Sequence, residues 1–213
     1  MISIDEMTGI QALERQAPDK PMKPGQPIKR EYEYIRHGTQ TLIASFDISI
    51  GKILHESIGQ TRTELDFIAH VQQMIKANPQ IKKWHLVMDC LNTHQSESLV
   101  RWIANEEEIP VMILGKKGQS GILESMASRA EFLSQPEHKI VFYYTPKHCS
   151  WLNQIEMWFS ILMRKLLKRG SFLSQGDLAA KIFDFIAYYN IAYYNDKMAK
   201  PFKWTYKGKV LTV

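Results

Sequence analysis

Three carboxylates stand where a protein could do metal chemistry. Asp5 follows the alternation of Ile2 and Ile4 and ends an expected first strand over residues 1–5. Asp89 ends the apolar run WHLVM, read as a strand buried on both faces. Glu156 falls in the first turns of an expected helix, after the loop TPKHCSWLNQ. Strand ends are where α/β folds collect ligands. If the first and fourth strands are neighbours, Asp5 and Asp89 lie side by side and repel unless a cation sits between them. Hard oxygen donors with a third carboxylate nearby describe a Mg²⁺ or Mn²⁺ site. Two such ions about 4 Å apart would clamp the attacking and leaving oxygens of a phosphoryl transfer. Taken singly, each acid has a plainer reading. Asp5 and Asp89 could be turn formers or caps, and Glu156 a partner of the helix dipole. Asp47 also ends an expected strand and competes with Asp5.

The elements that must position these acids follow from pattern. Residues 41–48 read as a strand, 49–52 as a turn and 53–58 as the returning strand of a hairpin. The four prolines of residues 17–30 mark a loop. Thr61 or Thr63 caps a helix to about residue 77, with Leu65, Ile68, Val71 and Ile75 on its stripe. A helix over 96–105 and another over 122–133 follow, then a strand over 140–144 that Pro146 ends. Ser150 is expected to cap a long helix over 151–169, with Trp151, Ile155, Phe159, Leu162 and Leu166 on one stripe. A last helix is expected at about 174–195, with YYN occurring twice, at 188–190 and 193–195. The order βββαβα(α)βα, then α, predicts a mixed α/β sheet with helices on both faces.

Composition narrows the partners. The 213 residues carry 27 Lys+Arg against 22 Asp+Glu, a net charge of +5. Residues 139–213 hold a net +8 of this and the rest −3. That asymmetry points to an anionic partner, nucleic acid being the commonest, or to solvated helix faces. At 45% hydrophobic the chain can bury a core. It has no apolar run long enough to span a membrane and no signal-peptide pattern at its start. Two cysteines, Cys90 and Cys149, exclude a disulfide scaffold and fit a reducing, cytoplasmic setting.

Three blocks of text carry a resemblance: ISIDEMTG, HLVMDCLNTH and YYTPKHCSWLNQIEMWFS. They resemble the three acidic blocks of a DDE transposase, in the bacterial insertion-sequence branch of the mariner superfamily. The tail YYNDKMAKPFKWTYKGK resembles the end of that branch, so the likeness covers nearly the whole chain. It implies one RNase H-like catalytic domain over residues 1–213, with about five strands in a mixed sheet. Asp5, Asp89 and Glu156 then become the catalytic, metal-binding acids, holding two Mg²⁺ ions, with Mn²⁺ able to substitute. The reaction implied is phosphodiester hydrolysis at element ends, then strand transfer of a DNA 3′-hydroxyl into target DNA. A homodimer holding two ends, and a bacterial, nucleoid-associated location, follow from the same likeness. Three departures stand out. The helix-turn-helix modules usual before this core are expected to be absent. The interval between the second and third acids is 66 residues, longer than is usual, with the surplus expected as an insertion at about 105–138. Cys90 follows Asp89 where Asn is common.

Other residues have two readings each. Asn92 and His94 lie near the scissile phosphate by resemblance, while Asn92 or Thr93 could instead cap a helix. Asn153 could hold Glu156, touch DNA or cap. Lys147, His148, Arg164, Lys165, Lys168 and Arg169 are candidates for DNA contacts, which would be salt-dependent and sequence-neutral. Trp151, Trp158 and Phe159 read mostly as core, with base stacking as the alternative. His94, His148, Cys90 and Cys149 lack zinc-ligand spacing. GKKGQSG at 115–121 lacks the phosphate-loop order and reads as a flexible basic loop. Two competing functions remain: a non-catalytic DNA-binding remnant that interferes with full-length transposase, and an RNase H-type nuclease on RNA–DNA hybrids.

Overall fold

The computed structural model describes residues 1–191 and 201–203. Strands β1 (Ile2–Arg15), β2 (Tyr34–Asp47) and β3 (Lys52–Gly59) form an antiparallel meander. Strands β4 (Trp84–Met88) and β5 (Ile140–Tyr144) extend it in parallel, giving the order β3-β2-β1-β4-β5. β1 does not stop at Asp5 as expected; it runs on to Arg15 against a β2 that starts before residue 41. Bulges between Met7 and Ile10 and between Gln11 and Leu13, with Gly9 at a φ of 66°, break the alternation that would have revealed the longer strand. The proline-rich loop closes the far end of this hairpin through bridges between Lys20 and Lys29 and between Lys23 and Gln26.

Alternation along β1 and β2 sends side chains to two cores. Ile2, Ile4, Ile43, Leu86, Met88 and Phe142 pack on one side with α1 (Glu64–Ala77), α2 (Glu97–Glu106) and α4 (Met126–Leu133). Leu42, Ala44 and Phe46 pack on the other with α5 (Ile155–Leu162) and α6 (Gln175–Asn190). Helices therefore cover both faces of the mixed sheet. Thr63 caps α1 in a reciprocal box with Asp66. The stripe of α1 is rotated from the expected one: Phe67, Ile68, Val71 and Met74 are buried, whereas Leu65 is 66% exposed.

The segment read as an insertion is built into the first core. Leu114 of the short helix α3 (Val111–Leu114), Leu123, Phe132 and Leu133 are all buried there. GKKGQSG is a closed turn rather than a flexible loop: Lys116 pairs with Ser120, and a Cβ on Gly115 (φ 72°) would lie 2.1 Å from the Ser120 carbonyl. Among the described residues no helix is long and apolar enough to cross a membrane. α6 ends at Asn190; the expected continuation and the second YYN lie outside the described residues.

Candidate active site

The parallel register places Ile2 opposite Leu86 and Ser3 opposite Val87. Continued by two residues, it brings Asp5 level with Asp89 at the C-terminal end of β4. Asp47, the competitor, lies at the other end of the meander, paired with Ile2 and Lys52. There its carboxylate accepts the Ser49 N–H at 2.8 Å and hydroxyl at 2.6 Å, so it is a turn former.

Glu156 is positioned by contacts from β1. The expected helix over 151–169 is interrupted: Ser150–Leu152 form a 3₁₀ turn, α5 begins at Ile155, and Met163–Leu167 form a π turn. Ser150 caps nothing, and Gln154 offers α5 no side-chain cap. The open Ile155 N–H donates instead to Ser3 Oγ at 2.9 Å. The Ser3 hydroxyl donates in turn to Asn153 Oδ1, and Asn153 Nδ2 donates to the Ile4 carbonyl at 2.8 Å and toward Asp5 Oδ2 at 3.3 Å. Asn153 is 0% exposed, so it ties α5 to the first strand and has no surface for the DNA contact expected of it.

The second acid sits in a tight local structure. The Leu91 N–H donates to Asp89 Oδ1 at 3.0 Å, an Asx-type turn. Asn92–Gln95 form a 3₁₀ turn with no side-chain cap; Ser96, not Asn92 or Thr93, caps α2. His94 was also expected to reach DNA, but it is fully buried. Its Nδ1 lies 2.9 Å from Asp89 Oδ1 and its Nε2 lies 3.1 Å from Glu6 Oε1. Arg129 of α4 donates to the Gln95 carbonyl at 2.6 Å, so the segment expected as an insertion braces this turn. Glu6, Ser3 and Tyr144, whose hydroxyl donates to the His94 carbonyl at 2.9 Å, were not singled out from sequence. The one available signal was Glu6 itself, an acid inside an alternating apolar strand.

Electrostatics separates the acids. Burial pushes the Asp5 carboxyl up to about 7, and the charges of Asp89 and Glu6 push the same way, against the Glu6 N–H and His94. The His94 hydrogen bond holds Asp89 below the usual carboxylate range. Burial, then the charge of Asp89, raises Glu156. Burial opposes the charge on His94, yet its bonds to Asp89 and Glu6 lift it to about 10.

Two of the acids, Asp89 and Glu156, open onto a groove, while Asp5 is buried. Asp89, Lys147, His148 and Ser150 line its first part; Ser150, Trp151, Glu156 and Ser160 the next; Glu156, Thr8, Ser160 and Arg164 the last. Lys147, His148, Arg164, Lys165, Lys168, Arg169 and Asn92 are exposed as expected. Trp151, expected mostly in the core, is 47% exposed in the groove, while Trp158 and Phe159 are core. Among the described residues no three His, Cys, Asp or Glu side chains converge on one point, as mutual repulsion of like charges favours. The donor set of Asp5, Asp89 and Glu156 is nonetheless all oxygen. Such donors suit a hard divalent cation in chemistry.

Comparison with known proteins gives the family. Residues 1–179 match the model of the DDE superfamily endonucleases. The Mos1 mariner paired-end complex with Mn has a TM-score of 0.54 at 14% identity, over 88% of this chain and 48% of that one. The Mos1 transposase paired-end complex with left transposon end has a TM-score of 0.54 at 12% identity, over 92% and 50%. The Mos1 strand transfer complex has a TM-score of 0.54 at 13% identity, over 87% and 46%. The chain thus spans about half the length of these structures, and at such identities they speak for the shared fold. No curated protein matches. With most of its length matched by that one family model, the chain belongs to the DDE superfamily endonucleases.

Proposed function

We propose that this chain is the catalytic part of a DNA transposase, of the bacterial insertion-sequence branch of the mariner superfamily. It acts on transposon ends and on target DNA. One observation carries the reading. The parallel register brings Asp5, inside β1, level with Asp89 at the end of β4, and Glu156, on a helix tied to β1, responds to the charge of Asp89.

The chain's own residues then divide the work. Asp5, Asp89 and Glu156 supply oxygen ligands for two Mg²⁺ ions, which Mn²⁺ could replace. Such ions activate a water or a 3′-hydroxyl and stabilise the leaving 3′-oxygen. Lys147, His148, Arg164, Lys165, Lys168 and Arg169 neutralise DNA phosphates along the groove. Asn92, exposed three residues after Asp89, is a further DNA contact, and the exposed face of Trp151 offers a base a stacking surface. Two copies would hold two ends, beside the bacterial nucleoid in the cytoplasm.

Plasmid nicking in Mn²⁺ tests the reading. Wild type nicks, and Asp89→Asn and Glu156→Gln each lose at least about a hundredfold, as expected when a group stabilising transition-state charge goes. Nicking that persists in Asp89→Asn overturns the assignment. Salt-sensitive DNA binding without any nicking would favour a non-catalytic remnant. Preferred cleavage of RNA–DNA hybrid would favour the nuclease alternative.

A further inference from the structure

We propose that Glu6 and His94 are positioning residues for Asp89: the buried Glu6–His94 pair fixes one Asp89 oxygen and leaves the other to face an incoming metal ion. The inference rests on the reading of Asp89 as a metal-binding acid.

The geometry leaves His94 little freedom. Its ring nitrogens lie 2.9 Å from Asp89 Oδ1 and 3.1 Å from Glu6 Oε1. Ionised carboxylates only accept, so both contacts are hydrogen bonds when both nitrogens carry hydrogen. The ring is then a cation between two anions. The His94 and Glu6 side chains are 0% and 1% exposed, so neither can turn to water. Phe67 packs on the imidazole with centroids 4.6 Å apart. The backbone of His94 is held as well, its N–H donating to the Leu91 carbonyl at 3.0 Å and its carbonyl accepting from Tyr144.

This restraint passes to Asp89. Oδ1 accepts from both His94 and the Leu91 N–H, which sets the plane of the carboxylate. Oδ2 is left for a ligand in the groove shared with Lys147 and Ser150. Glu6 acts through His94. Its negative charge offsets the imidazolium, so Asp89 keeps its attraction for a divalent cation instead of being neutralised by a lone internal cation. Partners that hold a metal-binding side chain in this way commonly govern metal affinity. A histidine needed only for packing would be satisfied by hydroxyls, as His70 is by Ser45 at 2.7 Å and Ser57 at 2.8 Å.

Mn²⁺ binding to the intact chain, read from the electron paramagnetic resonance of the free ion, tests this beside metal-free thermal unfolding. His94→Gln is expected to weaken Mn²⁺ binding about tenfold to a hundredfold and to lower the melting temperature, because Glu6 is left buried and unpaired. The double variant Glu6→Gln/His94→Gln is expected to regain much of the melting temperature but not the Mn²⁺ affinity. Glu6→Gln alone keeps the His94–Asp89 bond and is expected to weaken Mn²⁺ binding with the fold intact. Wild-type affinity in both Glu6→Gln and the double variant overturns the positioning role. The Asp89→Asn control separates the two levels. If it leaves Mn²⁺ binding unchanged, the metal reading itself falls; if it removes binding that the double variant retains, only the positioning role falls.

Discussion

Two histidines buried on the same side of the sheet have opposite chemistry. His94 sits between the carboxylates of Glu6 and Asp89 and is lifted to about 10. His70 of α1 sits between the hydroxyls of Ser45 and Ser57, and burial, then the nearby His55, lowers it to about 3. Burial disfavours the charged form of both rings. Partners decide the outcome. A hydroxyl can donate or accept and so satisfies a neutral ring, whereas an ionised carboxylate can only accept and so demands protons. The sheet thus carries a charged network at its acidic end and a neutral one between α1 and β2–β3.

The largest expected effect comes from removing the charged ring. His94→Leu leaves Glu6 buried without its cation and should cost about 3–5 kcal/mol in urea unfolding. A loss below about 1 kcal/mol would mean that the buried pair carries no more than a surface pair, and the contrast would collapse. His70→Leu should cost less, about 1–3 kcal/mol, because it strands hydroxyls rather than a charge. Adding Ser45→Ala and Ser57→Ala to it should recover part of that loss, and no recovery would show the cost to be one of packing.

Protonation gives a sharper test with a definite sign. The folded value of His70 lies below its unfolded value of 6.5, so the unfolded chain binds the extra proton between 6.5 and about 3. Its contribution to stability is complete above pH 6.5 and is lost as the pH falls through that window. The folded value of His94 lies above 6.5, so its contribution is complete below pH 6.5 and is lost as the pH rises toward about 10. Histidine NMR titrations should show neither ring titrating near pH 6.5; a midpoint there for either would break the comparison.

The smallest effect belongs to the same pair of groups near the surface. His37 Nε2 lies 2.7 Å from Glu14 Oε2, with about 30% of each side chain exposed. His37→Ala should change stability by less than about 1 kcal/mol, since water screens the pair. A change approaching that of His94→Leu would show that distance rather than burial sets these energies.

Much of this arrangement could be read from the residues in order. WHLVM and IVFYY each became strands with the expected bounds, because a short apolar run between polar segments has little other use. A cap at Thr61 or Thr63 is local chemistry and was legible for that reason, and the structure selects Thr63. Also legible was the placing of an acid directly after β4 and of another near the start of α5, whereas Asp5 lies inside β1 rather than after it. The extension of β1 to Arg15 was hidden because Gly9 and its bulges interrupt the pattern. The start of α5 at Ile155 was hidden because its cap comes from Ser3, far away in sequence.

The sequence by itself determined the element order, the three candidate acids and the basic C-terminal third, since these depend on residue type and short spacing. Only the tertiary structure decided which polar residues face the groove and which serve beneath it. Asn153 and His94 read as surface ligands until β1 was laid across them. The physical reason is that a polar side chain shows its type in the sequence but not its partner, and burial with a particular partner fixes both its charge and its reach.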